Sequence, residues 1–183
     1  PARAQARPQA AAQAPAPATL VPDPPAQCSS CAEWNAPRQP FKVYGNTYFV
    51  GPAGVSAMLI TSDRGHILVD TGLGDKEDAK FQSMFAVERT PTLLESLKQH
   101  GLSRDDIHLV INTHLHFDHA GGNTVTNGTS ALMPAFPKAT YYVQQGEYDD
   151  AVQANERTRA SYRRDNFTPM AQLNQWAFIQ GDT

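Results

Sequence analysis

No stretch of eighteen consecutive apolar residues occurs in this chain, so nothing in it reads as a helix able to span a bilayer. Basic stripes interleaved with aromatics are also missing. Eighteen acidic residues outnumber fifteen basic ones for a net charge of −3, which argues against nucleic acid as a partner. Cysteine is scarce, with Cys28 and Cys31 the only two. Their Cys-x-x-Cys spacing neither opens a helix after a strand, as a redox motif does, nor has the second pair that a structural zinc site needs. A local disulfide or two unpaired thiols are the expected states. Bulky aliphatics are nearly absent from residues 1–27, a stretch rich in Ala, Pro and Gln in which Leu20 and Val21 are the only sizeable ones.

That last absence sets the domain boundary. A segment with so little to bury cannot offset its ordering entropy, and residues 1–33 are expected to form a disordered Ala/Pro-rich tether. Its texture is that of the stretch behind a secretory signal peptide, and the first residue is Pro1 rather than Met, so a processed N-terminus and a periplasmic or secreted location are expected. Residues 34–183 have the length and apolar content of a single domain.

Within that domain the pattern begins as an antiparallel meander. Phe41–Tyr44 reads as a short strand, Gly45-Asn46 as the turn, Thr47–Val50 as its partner, and Val55–Thr61 and His66–Asp70 as two more strands around Ser62–Gly65. Lys76–Val87 is helix-competent, and Thr90-Pro91 offers an N-cap and first-turn proline for a stripe of Leu93, Leu94 and Leu97 that Gly101 stops. Ser103 with Asp106 has capping-box form and leads into the apolar run Ile107–Ile111. Residues 123–136 read as a long turn-rich loop, 139–143 as a strand, and 145–162 as a helix with Glu147, Asp149, Asp150 and Glu156 on its wet face. Met170, Leu173, Trp176 and Phe178 suggest a further amphipathic piece. Strand, helix, strand in this order predicts an α/β layer.

The chemistry is concentrated just past Ile107–Ile111, in Thr113-His114-Leu115-His116-Phe117-Asp118-His119. Three imidazoles and a carboxylate are the donors that divalent zinc prefers, and no packing pattern calls for them together. At the end of a buried strand, His114 and His116 are alternate residues able to turn the same way, with Asp118 and His119 on the turn before Gly121-Gly122. Asp70, closing an earlier strand at Asp-Thr-Gly-Leu-Gly, fits either a helix cap or a buttress for this loop.

Asn112–Gly122, with its His-x-His-x-Asp-His core, resembles the signature of the metallo-β-lactamase superfamily. The resemblance implies an αββα sandwich, with His114 and His116 on one zinc, Asp118 and His119 on a second, Asp70 hydrogen-bonding the loop from beneath, and Asp118 orienting and deprotonating the attacking water. One or two zinc ions would lower the pKa of that water from about 16 toward ~7 and stabilise the oxyanion. The N-terminal pattern Trp34-Asn35-x-Pro37-x-x-Pro40-Phe41, Tyr44–Gly51 and Gly54-x-Ser56-Ala57 is similar to the metallo-β-lactamases that bind zinc with His and Asp only, which implies β-lactam ring opening and antibiotic resistance. Asn123-Thr124, Pro134-x-Phe136-Pro137 and Asn155–Tyr162 look more like general metallo-hydrolases and lactonases, which keeps lactone or ester hydrolysis as the alternative.

No histidine follows His119, so the family's later ligands have no counterpart. The resemblance therefore covers the N-terminal half of the sandwich, and a fragment of a longer enzyme, inactive alone, is expected. Half a sandwich exposes a sheet face for association, so a noncatalytic half-domain for binding or assembly is the reading from another class. The expected ligand is a small-molecule substrate.

Overall fold

The computed structural model describes residues 29–74, 92–126, 128 and 131–181. The tether up to residue 28, the helix expected over 76–87, the Thr90-Pro91 cap and most of the 127–130 turn lie outside the described residues. The described residues begin ahead of residue 34. Cys31 is 1% exposed and disulfide-bonded, and opens helix α1 (Cys31–Trp34), which the main chain ties down through Gly54 N–H to Trp34 O at 2.8 Å.

Strands β1 (Phe41–Tyr44), β2 (Thr47–Phe49), β3 (Met58–Ile60) and β4 (His66–Val69) pair antiparallel in sequence order. The chain then crosses over through α2 (Leu93–Gln99) to β5 (Ile107–Ile111), which runs parallel to β4. A connection of this length is what a parallel pair requires. Thr92, not Thr90, caps α2. Its hydroxyl accepts the Glu95 N–H while the Glu95 carboxylate accepts the Thr92 N–H, at 3.2 and 2.7 Å. The Ser103/Asp106 capping box forms as read, on a single 3₁₀ turn.

Past β5 come the short helix α3 (Phe117–Ala120) and a hairpin of β6 (Thr124–Thr126) and β7 (Leu132–Pro134), where the sequence suggested only turns. Then follow β8 (Thr140–Gln144), α4 (Gln145–Val152), α5 (Thr168–Gln172) and β9 (Trp176–Ile179). The helix expected to reach residue 162 stops at Val152, because the Asn155 side chain takes the Arg157 and Thr158 N–H groups into a turn of its own. The amphipathic piece around 170–178 splits into helix and strand at Asn174, whose φ of +53° no helix accommodates.

The main sheet runs β1-β2-β3-β4-β5-β8-β9, with its last three pairings parallel. Register aligns Leu59, Leu68, Val110 and Tyr141 across four strands, and each is 0% exposed. Leu97, Phe136, Phe167 and Met170 close over this face, each fully buried aliphatic contributing about 1.5–3 kcal/mol. The next row, Met58, Val69, Ile111 and Tyr142, points to the other face by the two-residue period and is only partly buried. The described residues thus form an α/β fold with one main sheet. No helix among them is long and apolar enough to cross a membrane.

Candidate metal centre

Parallel pairing brings the carboxyl ends of β4 and β5 to the same edge, the place where open α/β sheets present their loops to ligands. Asp70 follows β4 and Asn112-Thr113-His114 follows β5, with Asp70 N–H bonded to Ile111 O at 2.9 Å. Asp70 holds φ +56°, a left-handed conformation that a non-glycine residue keeps only when its surroundings enforce it. Three bonds do so. Its Oδ1 accepts Thr113 N–H at 2.8 Å, and its Oδ2 accepts both the Thr113 hydroxyl at 2.7 Å and His119 Nδ1–H at 2.9 Å.

These bonds select the tautomers. With its proton given to Asp70, the Thr113 oxygen faces His114 Nδ1 at 3.1 Å as an acceptor, so that nitrogen carries hydrogen. His119 likewise carries its proton on Nδ1. Both rings therefore keep Nε2 as the free lone pair, the pattern by which a carboxylate behind a histidine prepares it for a metal. Burial, followed by the neighbouring His119 and His116, holds His114 below the ordinary histidine pKa, whereas the bond to Asp70 raises His119.

One turn of α3 supplies the remaining donors. His116 stands at its N-cap, and Asp118 and His119 project from the turn itself. Ligand atoms of His114, Asp118 and His119 all lie within 4.8 Å of one another. The His114 and His119 rings are 3.9 Å apart between centroids, and Asp118 Oδ2 is 3.7 Å from His119 Nε2. His116 stands beside this group, its ring edge-on to His114 at 4.6 Å and to Tyr162 at 4.9 Å. The His116 ring thus stands between His114 and Tyr162, next to the three nearest donors. Two imidazoles that present Nε2, with a carboxylate beside them, are a donor set suited to zinc.

What holds the other end of the loop was not legible in the sequence. Glu147, expected on the wet face of its helix, is half-buried, and its Oε1 accepts Leu115 N–H at 2.7 Å. Its Oε2 accepts the Tyr162 hydroxyl at 3.3 Å. Burial and the adjacent Glu147 carboxylate push the Tyr162 phenol up, so it remains a donor.

Beneath the loop, the amides of Asn112 and Asn123 bond to each other at 3.0 and 3.3 Å, and the Thr71 hydroxyl reaches Asn123 Oδ1 at 3.0 Å. Both asparagines are buried. They bracket the histidine run in the sequence, the one signal that a polar support lies under it. The backbones of 71–74 and 121–122 are pressed so closely that a Cβ on Gly121 or Gly122 would lie 2.0 Å from Leu73 O or 2.3 Å from Thr71 O. His66, His100 and His108 have neighbours of their own: the Ser62 N–H, the Tyr48 ring and the Asp106 carbonyl.

Residues 50–125, which contain Asp70 and the whole histidine loop, match the family model described as the metallo-beta-lactamase superfamily. An N-acyl homoserine lactonase of Bacillus thuringiensis is 31% identical over 134 residues, 68% of this chain and 46% of the lactonase. A probable metallo-hydrolase of Mycobacterium tuberculosis is 30% identical over 116 residues, 58% of this chain and 34% of that protein. A probable metal-dependent hydrolase from Staphylococcus aureus superposes with a TM-score of 0.60 at 27% identity, covering 73% of this chain and 45% of that one. The chain spans less than half the length of each.

Proposed function

This chain belongs to the metallo-β-lactamase superfamily, and from that membership we propose that it supplies the metal-holding part of a hydrolase that opens a cyclic acyl bond. The observation that carries the reading is the convergence of His114, Asp118 and His119, with the Nδ1 positions of both histidines already committed to internal bonds. His114 and His119 would hold a zinc ion through Nε2, with His116 beside them and Asp118 completing the set. Zinc bound there supplies Lewis acidity and lowers the pKa of a water from about 16 toward about 7.

The rest is done by the chain. Asp70 holds His119 and, through Thr113, His114 in the ligating tautomer. Asp118, with its side chain 35% exposed, offers a carboxylate oxygen to orient a water and receive its proton. The loop stands at an open sheet edge where a small-molecule substrate has access.

A lactone is the first substrate to test, because the lactonase relative aligns over 68% of this chain. A β-lactam is the second reading, favoured by the Trp34–Gly51 pattern. Zinc content, together with hydrolysis of an N-acyl homoserine lactone and of nitrocefin, tests both. Zinc-dependent turnover that His114→Ala abolishes is the expected result. Stoichiometric zinc without turnover of either substrate supports a noncatalytic half-domain, and failure to bind zinc defeats the proposal.

A further inference from the structure

We propose, resting on the metal-dependent reading above, that Glu147 is a positioning residue of the metal centre, fixing the backbone between His114 and His116 and, through Tyr162, the His116 ring. Leu115 lies between the two histidines and is 0% exposed, and its N–H is taken by Glu147 Oε1 at 2.7 Å. Without that carboxylate, a buried donor inside the ligand loop has no acceptor, and the loop would shift to satisfy it. The other carboxylate oxygen holds the Tyr162 hydroxyl, and the Tyr162 ring stands edge-on to His116 at 4.9 Å. Main-chain pairing follows the same line, with a bridge between His116 and Tyr162 and Phe117 N–H bonded to Ser161 O at 2.8 Å.

Placement explains why a charge is tolerated there. Glu147 lies in the first turn of α4, where the helix dipole favours an anion. Its carboxylate is not the return arm of a capping box, since it bonds a residue thirty-two positions earlier. Asp70 and Glu147 therefore hold different parts of the loop, the first at Thr113 and His119, the second at Leu115 and, through Tyr162, beside His116.

The test uses the whole chain with Glu147→Asp, which keeps the charge but withdraws it by one methylene, and Glu147→Gln, which keeps the reach. Readouts are Leu115 amide exchange in the metal-free protein, zinc affinity by chelator competition, and the absorption spectrum with cobalt in place of zinc. Glu147→Asp is expected to speed Leu115 exchange, alter the cobalt spectrum and weaken zinc by about 10–100-fold, the usual effect of losing an outer support, while Glu147→Gln preserves Leu115 protection. Wild-type exchange and affinity in Glu147→Asp, or an unprotected Leu115 amide in the wild type, overturns the inference. If the wild type binds no zinc, the metal reading fails separately, and the exchange data alone still decide whether Glu147 holds the loop.

Discussion

Asp70 and His119, forty-nine residues apart in the chain, meet through a 2.9 Å bond between a nearly buried carboxylate and an imidazole Nδ1. The same oxygen holds the Thr113 hydroxyl, so an amide nitrogen in its place would face two donors. Asparagine accepts the left-handed backbone that Asp70 adopts, which makes Asp70→Asn a test of the charge alone. It is expected to destabilise the metal-free protein by about 1.5–3 kcal/mol in urea unfolding. Asp70→Gly relaxes the backbone yet loses all three bonds, and should cost more. An Asp70→Asn protein as stable as the wild type contradicts the assignment.

The two coupled histidines give opposite pH dependences. His119 is raised above 6.5 by its bond to Asp70, so its stabilisation is full below 6.5 and is lost as pH rises through the folded value. His114 is lowered by burial and by His119 and His116, so it penalises the folded state as pH falls from 6.5 through its own folded value. In the presence of chelator, His119→Ala should therefore lose more stability at about pH 5.5 than at about pH 8.5, and His114→Ala the reverse. Urea midpoints at both pH values decide it, and parallel curves for the two variants refute the assignment.

Glycine replacements should divide sharply. Gly121→Ala and Gly122→Ala drive a Cβ into main-chain carbonyls that have no room to yield, and soluble folded protein is not expected from either. Gly146→Ala, in α4 with nothing within 4 Å of its added carbon, should instead stabilise by about 0.5–1 kcal/mol. Expression yield and thermal melts measure the contrast. A well-folded Gly121→Ala protein would contradict the tight packing of the two loops.

The Asn112–Asn123 pair should behave as one unit. Either alanine substitution leaves buried partners unsatisfied and is expected to cost about 1–3 kcal/mol. The double variant should cost less than the sum of the singles, with a coupling of about 0.5–3 kcal/mol in a double-mutant cycle. Strict additivity would mean that the two amides support the loop independently.

The sequence disclosed the β1–β4 meander because glycine turns and β-rich runs are local signals, and an α/β layer because strand, helix and strand patterns alternate, although the crossover helix is capped by Thr92 and not at the Thr90-Pro91 pair that the pattern offered. The histidine loop was legible for another reason: its donors are contiguous. Glu147 and Tyr162 were not, since their roles depend on a register between β8 and β5 that no local pattern encodes. The early end of α4 was hidden in the same way, in an Asn155 side chain that competes for the backbone.

The interlocked backbones of 71–74 and 121–122 also bear on metal uptake. A loop whose main chain is already wedged against its neighbour has little freedom left to surrender, so zinc should enter in a single rapid step, with a heat-capacity change near zero and no burst of slowed amide exchange beyond the ligands themselves.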